Sequence, residues 1–262
     1  MTSHNHRHNS SFNYSFQYRI WNNESPEHVA FMIKRLRLVL APFLPAPDSQ
    51  AVLDIGCGMG FALLALQDMG FTDLRGIDID GEQVRCARKL SLNVEQVQNT
   101  FKFLEDNSDQ FDIVLMFDVL EHVPVEEQIC LMREVNNAMK PGGRVILQVP
   151  NAGSLLATWQ RNIDFTHHST FTPISLSFVL RNAGFEQIQI PGQGPLRRPT
   201  LRLWRQSARD ELRKWLVDFF WRQVLQVYVG AWADVSQLPV ELDMRAVAFK
   251  PECSKKDAVA CL

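Results

Sequence analysis

The fold is decided by residues 51–60, which read Ala51-Val52-Leu53-Asp54-Ile55-Gly56-Cys57-Gly58-Met59-Gly60. The apolar residues Val52, Leu53 and Ile55 run up to the glycines, and such a run is typical of a buried strand in a parallel sheet. The glycines allow a sharp turn and a close approach of a ligand to the backbone. The apolar run from Phe61 then begins a helix, whose N-terminal amides can face an anionic group. Strand, turn and helix together predict a nucleotide-cofactor site.

The glycine spacing and one carboxylate indicate which cofactor binds. A dinucleotide fingerprint reads G-x-G-x-x-G, and its helix N-terminus receives a pyrophosphate. Here the glycines are Gly56, Gly58 and Gly60, and Asp54 lies just before the turn. A carboxylate in that place repels a pyrophosphate but attracts ammonium and sulfonium charges. S-adenosylmethionine carries both charges, so we predict that it binds Asp54 and the loop, Cys57 included. The alternative is an ordinary strand-to-helix turn.

Length and composition describe one α/β domain. The chain has 262 residues, 46% of them hydrophobic and 21% charged, which suits one large globular domain. The net charge of −2 gives no reason to expect a nucleic-acid partner. No apolar run reaches the ~18 residues of a membrane span, and the N-terminus has no signal-peptide pattern. The five cysteines are scattered without a C-x-x-C pair, so we expect reduced thiols in a cytoplasmic protein.

Predicted strands and helices alternate along the chain. Strands are expected at 74–80, 111–117 and 144–149, and helices at 25–40, 82–90 and 126–139, the last ended by Pro141-Gly142-Gly143. This alternation predicts a Rossmann-like, doubly wound parallel sheet. Two further strands, at 185–190 and 244–249, flank a helical stretch at 201–228.

These elements divide the chain into four parts. Residues 1–24 form a polar and aromatic arm, which either frays or folds over the cofactor mouth as a lid. Residues 25–190 form the cofactor-binding core. Residues 191–240 are expected to be a helical insertion that contributes to an acceptor pocket or an interface, and 241–262 hold the last strand and a polar tail.

Strand-end residues complete the predicted cofactor site. Asp78 ends the second strand, where a carboxylate can accept both ribose hydroxyl protons. The alternative for Asp78 is a solvated strand-end acid, as Asp80 illustrates. Ile79 is then expected to pack on the adenine face. Asn99 and Thr100 fall at the end of the expected third strand and can hydrogen-bond the adenine edge.

Asp118, Glu121 and His122 follow the strand that ends at Phe117. On one helical turn, positions i, i+3 and i+4 share a face. The three side chains can therefore line the reaction chamber, Asp118 among the cofactor-binding residues, or hold a divalent metal. The alternative is that Asp118 caps a helix and the other two hydrogen-bond locally. Two carboxylates and one imidazole are a common set, and we assign no metal.

Four ordered motifs in residues 45–190 resemble those of class I S-adenosylmethionine-dependent methyltransferases. They are LDIGCGMG at 53–60, GIDI at 76–79, FDIV with DVLEHV at 111–123, and MKPGG at 139–143. Within that superfamily, the chain is most similar to the ubiquinone-biosynthesis O-methyltransferase branch and to methyltransferases of bacterial surface-glycan pathways. The resemblance implies a seven-stranded sheet whose last strand is antiparallel, with a helix inserted between the last two strands.

The resemblance also implies residue roles. Asp54 and the loop from Gly56 to Gly60 serve the methionine moiety, and Asp78 binds the ribose. Members of the ubiquinone branch bind a metal through the segment that matches 118–122. Asn99 departs from the aspartate that is usual at the adenine edge.

Residues 164–172, DFTHHSTFT, look like a D-x-T-H-x-x-x-F-T pattern of the glycan-type relatives. Methyl transfer from a sulfonium is an in-line displacement, so the enzyme mainly positions the nucleophile and removes its proton. A phenol is nearly acidic enough to lose its proton unaided, whereas a sugar hydroxyl needs a general base. A neutral imidazole is a suitable base near pH 7. We predict His167 as this base and Asp164 as the residue that orients it. Alternatively, His167 and His168 only tie a loop to the next helix.

The stretch 197–222 combines eight basic residues with three acidic ones, among many aromatic and aliphatic residues. A basic, aromatic helix at 201–228 can lie on an anionic membrane or contact a phosphate. The alternative is a helix packed on the domain or in a homodimer interface.

The sequence predicts a methyltransferase that acts on a hydroxyl of a small-molecule or glycan acceptor. The favoured acceptor is a sugar in a surface glycan or a natural-product glycoside. One alternative is a quinone-type phenol O-methyltransferase at the membrane. The other is a non-catalytic module that binds S-adenosylmethionine and regulates a partner.

Overall fold

A computed structural model describes residues 14–192, 206–232 and 234–252. Seven strands in these ranges form one sheet in the order β3-β2-β1-β4-β5-β7-β6. β1 to β5 are parallel neighbours, and β7 is antiparallel to both β5 and β6. This confirms the predicted fold. The strands are β1 (Ala51–Ile55), β2 (Asp73–Asp78), β3 (Val94–Gln96), β4 (Phe111–Phe117), β5 (Met139–Pro150), β6 (Glu186–Gln189) and β7 (Asp243–Phe249).

Helices cover both faces of the sheet, because the strand residues alternate between two apolar cores. In β4, Val114 and Met116 face a core with α6 and α8, whereas Ile113 and Leu115 face a core with α2 and α3. The helices are α1 (Tyr14–Trp21), α2 (Pro26–Leu40), α3 (Phe61–Asp68), α4 (Gly81–Lys89), α5 (Thr100–Glu105), α6 (Val125–Ala138), α7 (Ala157–Ile163), α8 (Pro173–Asn182) and α9 (Gln206–Tyr228).

The start of α2 illustrates how the sequence sets a helix boundary. The Ser25 hydroxyl accepts a hydrogen bond from the His28 amide, and Pro26 occupies the first turn, as predicted. Within the described ranges, no helix combines the length and the apolarity that crossing a membrane requires.

The end of α6 differs from the prediction. The helix ends at Ala138, and Pro141-Gly142-Gly143 belongs to β5 instead of terminating the helix. The reason lies in long-range pairing: the Gly142 amide donates to the Lys250 carbonyl at 3.1 Å, and the Lys250 amide donates to the Gly143 carbonyl at 2.9 Å. The Lys140 ammonium also contacts Asp112 at 2.6 Å. The glycine-rich turn is therefore held in the sheet by the chain that follows β7.

Candidate active site

One cavity of about 1520 Å³ opens at the carboxyl ends of β1, β2 and β4. This edge is where ligands bind in doubly wound sheets. The cavity is bounded by the glycine loop after β1, by the ends of β2 and β4, by α1 and α2, and by the segment from 159 to 168. Six predicted cofactor residues and both predicted catalytic residues thus line one chamber: Asp54, Gly56, Cys57, Asp78, Ile79, Asp118, Asp164 and His167. Gly58, Gly60, Asn99 and Thr100 are not among the lining residues.

The glycine loop is fixed to the neighbouring strand. The amides of Gly56 and Cys57 donate to the Ile77 carbonyl at 2.8 and 3.0 Å, and the Gly58 amide donates to an Asp78 carboxylate oxygen at 2.8 Å. Gly58 has a φ of +53°, and a Cβ there would lie 2.7 Å from the Tyr18 hydroxyl oxygen. Only glycine fits that position without displacing its neighbours.

Two carboxyl groups, Asp54 and Asp78, lie at this end of the cavity. Asp54 is 2% exposed, and its burial, with the nearby charge of Asp78, raises its pKa to about 8. Burial also raises the pKa of Asp78. A cationic ligand would favour the ionised form of both carboxyls. The residues present therefore fit the ammonium and sulfonium charges of S-adenosylmethionine.

The predicted adenine edge needs correction. Neither Asn99 nor Thr100 lines the cavity. Asn99 instead caps α5, since its side-chain oxygen accepts a hydrogen bond from the Lys102 amide at 3.1 Å. Gln96 and Gln98 line the cavity instead, and both side-chain amides donate to the carbonyl of Ile79. β3 ends at Gln96, whereas the sequence placed its end at Asn99 and Thr100. The residues that line the cavity after β3 therefore come a few positions earlier in the chain than expected.

The described part of the N-terminal arm is a helix at the cavity mouth. Tyr18 and Trp21 of α1 line the cavity, and Tyr18 forms a hydrogen bond with the backbone of Met59 in the glycine loop. Arg19 pairs with Glu82 of α4. Burial raises the pKa of the Tyr18 hydroxyl, which stays protonated and neutral. Tyr18 and Trp21 belong to the aromatic residues that made a lid one of the two expectations for the arm, although no site role was predicted for either residue. The lid role of the arm stays a prediction.

Asp118 lines the chamber directly after the end of β4. Its backbone has a φ of +56°, and a short 3₁₀ helix, Leu120–His122, follows it. The expected helical turn with one shared face is therefore wrong. Both carboxylate oxygens accept hydrogen bonds from the Gln148 amide at 3.2 and 3.1 Å. The side chain is open to the cavity but surrounded by protein, and burial and Asp243 raise its pKa to about 7.

Glu121, His122 and His167 converge beside Asp118. One potential ligand atom from each side chain lies within 4.8 Å of the others, and the two imidazole rings meet edge to face with centroids 4.7 Å apart. Glu121 is fully buried, and neither carboxylate oxygen has a hydrogen-bond partner among the described residues. Burial, and next the charge of Asp118, raises the pKa of Glu121 well above its usual value. Such a set can hold a proton or a divalent cation. The three converging side chains thus include His167, whereas the sequence predicted Asp118 as the partner of Glu121 and His122.

Hydrogen bonds hold the two imidazoles in different ways. His167 Nδ1 donates to the Gln160 carbonyl at 2.8 Å, whereas His122 Nδ1 contacts the Thr166 hydroxyl at 2.8 Å. Asp164 accepts hydrogen bonds from the Thr166 amide at 2.8 Å and from its hydroxyl at 2.6 Å. The predicted anchor of His167, Asp164, is therefore bonded to Thr166 and through it to His122, because the carboxylate turns back on its own loop.

The electrostatics of this pair follow from burial and contacts. Burial lowers the pKa of His122 to about 4, so this ring is neutral near pH 7. For Asp164, burial acts to raise the pKa, but the hydrogen bonds from Thr166, together with His122 and a hydrogen bond from Gln17, keep the pKa below its usual value. The loop is also tied through its backbone, since the His168 amide donates to the Glu121 carbonyl at 2.7 Å.

The C-terminal half of α9 packs against the domain. The Trp221 indole donates to the Gly153 carbonyl at 2.8 Å, and Leu225 lies in a small apolar cluster with Val235 and Val240. Other apolar side chains of this region are exposed: Phe220, Val224, Val227, Tyr228 and Trp232. The basic residues 197–205 lie outside the described residues. The membrane, phosphate and homodimer readings of this segment remain predictions.

Comparisons with known proteins identify the family of the chain. A family model described as "Methyltransferase domain" matches residues 28–190. The chain is 28% identical over 207 residues to a ubiquinone biosynthesis O-methyltransferase of Xanthomonas axonopodis pv. citri, covering 73% of this chain and 83% of the relative.

Two solved structures share the fold. A SAM-dependent methyltransferase from Archaeoglobus fulgidus superposes with a TM-score of 0.63 at 20% identity, covering 90% of this chain and 99% of that chain. Haemonchus contortus phosphoethanolamine N-methyltransferase 2, in complex with S-adenosyl-L-methionine, gives a TM-score of 0.56 at 20% identity, covering 84% of this chain and 53% of that chain.

Proposed function

The chain belongs to the class I S-adenosylmethionine-dependent methyltransferases, and from this premise we propose that it methylates a hydroxyl oxygen of a small acceptor. The observation that carries the proposal is that two imidazoles, those of His122 and His167, line the same cavity as the glycine loop. An oxygen nucleophile must lose a proton as it is methylated, and an imidazole can accept that proton near pH 7.

Three groups of residues would hold the cofactor. Ionised Asp54 would face the cationic methionine end beside the glycine loop, whose Gly56, Cys57 and Gly58 amides are already bonded to the end of β2. Asp78 would accept the two ribose hydroxyls. When bound, S-adenosylmethionine supplies a methyl group on a sulfonium, which an in-line nucleophile displaces. Gln96 and Gln98 take the adenine-edge position that the sequence gave to Asn99 and Thr100.

His167 is the proposed base. Its Nδ1 donates to the Gln160 carbonyl, so in the neutral ring Nε2 carries the lone pair. As the acceptor oxygen forms its new bond to the methyl carbon, its proton passes to this nitrogen. Asp118 and Glu121 line the same end of the cavity and contribute to orienting a hydroxyl-bearing acceptor.

A sugar hydroxyl remains the first proposed acceptor, because an aliphatic hydroxyl needs the base that this site provides. The comparisons do not support a glycan acceptor. A phenol is the second candidate, since the relative from Xanthomonas axonopodis pv. citri is named as a ubiquinone biosynthesis O-methyltransferase. A panel of glycosides and phenols, assayed by mass spectrometry for a gain of one methyl group, separates the two. Cofactor binding without methylation of any acceptor would favour the regulatory-module alternative.

His167→Ala tests the base directly. We expect turnover to fall by ~10²–10⁴-fold, the usual contribution of a general base, while the affinity for S-adenosylhomocysteine stays unchanged in calorimetry. The neighbouring His168→Ala is the matched control, because His168 contacts Glu121 through its backbone amide, and it should retain most activity. Full turnover in His167→Ala would contradict the assignment.

A further inference from the structure

The outer side of α9 carries an apolar stripe that the described residues leave exposed. Six large side chains between positions 216 and 228 are each at least 40% exposed. At the 3.6 residues per turn of an α-helix, they share an arc of about 120° on one side of the helix. They are Leu216, Val217, Phe220, Val224, Val227 and Tyr228.

The opposite side of the same helix is already used. Trp221 and Leu225 lie outside the arc and pack against the domain. The two charged residues of this stretch, Asp218 and Arg222, also lie outside the arc. The stripe is therefore uncharged along its length, and it is a second apolar face that the packing of α9 on the domain does not consume.

The size of the stripe indicates an interface. From their exposed fractions, the six side chains leave on the order of 600 Å² of apolar surface in contact with solvent. The largest apolar patch on a typical monomeric protein is ~300–600 Å², so this stripe lies at the top of that range. A stable interface buries about 800 Å² per partner. The stripe and the residues that flank it thus approach the area that one copy contributes to a dimer.

Two arginines favour one direction of pairing. Arg209 and Arg213 precede the stripe on the same arc, and both are exposed. If two copies of α9 packed parallel, these arginines would face each other, and like charges repel. In an antiparallel pair they face the C-terminal end of the other helix, where the helix dipole favours a cation.

The charges of the helix favour a second copy over a bilayer. Gln206–Tyr228 contains four basic and three acidic residues, so its net charge is only +1. Helices that lie on anionic membranes are rich in Lys and Arg on their polar side. In α9 the side opposite the stripe packs against the domain instead.

We propose that α9 is a homodimer interface, in which the stripes of two copies pack antiparallel about a two-fold axis near Phe220. Such an interface is closed, because the same surface of each copy meets the other. Arg213 of each copy then lies beside Tyr228 of the other. At that end the stripe meets flexible arginine side chains, so a small truncation there, as at Val227, is tolerated. The inference depends neither on the acceptor nor on methyl transfer.

Size-exclusion chromatography with light scattering tests the association. At about 50 μM the full chain should run at twice its monomer mass of 30.0 kDa. Phe220→Glu and Val224→Glu should weaken the dimer about 100-fold or more, because each places like charges close to the two-fold axis. Leu38→Glu, at an exposed apolar position of α2, is the matched control and should stay dimeric. Urea titrations check that the variants remain folded.

Cysteine cross-linking tests the direction, with a short bis-maleimide linker and mass spectrometry of the joined peptides. Phe220→Cys should join to its counterpart, and Arg213→Cys should join to Tyr228→Cys when the two variants are co-expressed. Two copies of Arg213→Cys lie roughly 20 Å apart in this arrangement and should not join. A monomeric wild type, a dimer unchanged by Phe220→Glu, or Arg213→Cys joined to itself overturns the inference. Monomers that bind phosphatidylglycerol vesicles, with binding lost in Phe220→Glu, would also overturn it and assign the stripe to a membrane.

Discussion

The buried carboxylate in front of the glycine loop predicts a strong pH dependence of cofactor binding. Asp54 has a pKa of about 8 in the ligand-free protein, so only about 1% of it is ionised at pH 6.0 and about a quarter at pH 7.5. A cationic ligand binds the ionised form and must release the proton first. Affinity for S-adenosylhomocysteine, whose ammonium stays charged in this range, should therefore rise about 25-fold between these pH values, or about 1.9 kcal/mol.

The raised pKa of Asp78 acts in the same direction. Isothermal titration calorimetry at pH 6.0 and 7.5, in two buffers of different ionisation enthalpy, measures both the affinity and the number of protons released. Asp54→Asn is the matched variant, since it copies the shape of the protonated carboxyl. It should bind more weakly at pH 7.5 and show a much smaller pH dependence. An affinity that does not change with pH in the wild type, or the same slope in Asp54→Asn, would refute the reasoning.

Three further outcomes are expected. In urea titrations of the ligand-free protein, the free energy of unfolding should fall between about pH 4 and about pH 7 and level off above, because burial raises the folded-state pKa of Asp118 to about 7 while the carboxyl of the unfolded chain ionises at its usual lower pH. Asp118→Asn should make this fall shallower, by less than a fully buried carboxyl would because the side chain is open to the cavity, and an unchanged slope would exclude the assignment. Asn99→Ala should lower the stability by about 1 kcal/mol because the N-cap of α5 is lost, but it should leave the affinity for S-adenosylhomocysteine unchanged in calorimetry. Gln98→Ala should weaken that affinity. The opposite result for the two variants would support the adenine-edge role that the sequence predicts for Asn99. Leu225→Ala should destabilise the packing of α9 on the domain by about 2–5 kcal/mol and speed limited proteolysis within 206–228. Val227 is exposed, so Val227→Ala should behave as wild type. Equal cleavage of the two variants would contradict the packing of Leu225.

The fold could be predicted because its signals are local and repeated. The strand Val52–Ile55, the glycine turn and the apolar periodicity of α6 each select one conformation without reference to distant residues. The structure departs from prediction where a distant partner decides. Gly142 and Gly143 are held in the sheet by Lys250, a contact that no local pattern indicates.

The sequence indicates individual residues of the candidate site but not which of them form hydrogen bonds with each other. Asp54 and Asp78 are placed by the ends of adjacent parallel strands, so the sheet order brings them together. The D-x-T-H pattern predicts that Asp164 orients His167. A side chain two residues away, Thr166, competes successfully for the carboxylate, and the ring it serves is His122. Short polar side chains often bond their own loop in this way.

The segment with α9 leaves the sheet after Gln189 and returns at Asp243, between β6 and β7. Its two ends are anchored by backbone ladders, and β7 pairs with β5 over seven residue pairs that do not involve the segment. Grafting this stretch between relatives should therefore leave the donor half of the enzyme intact.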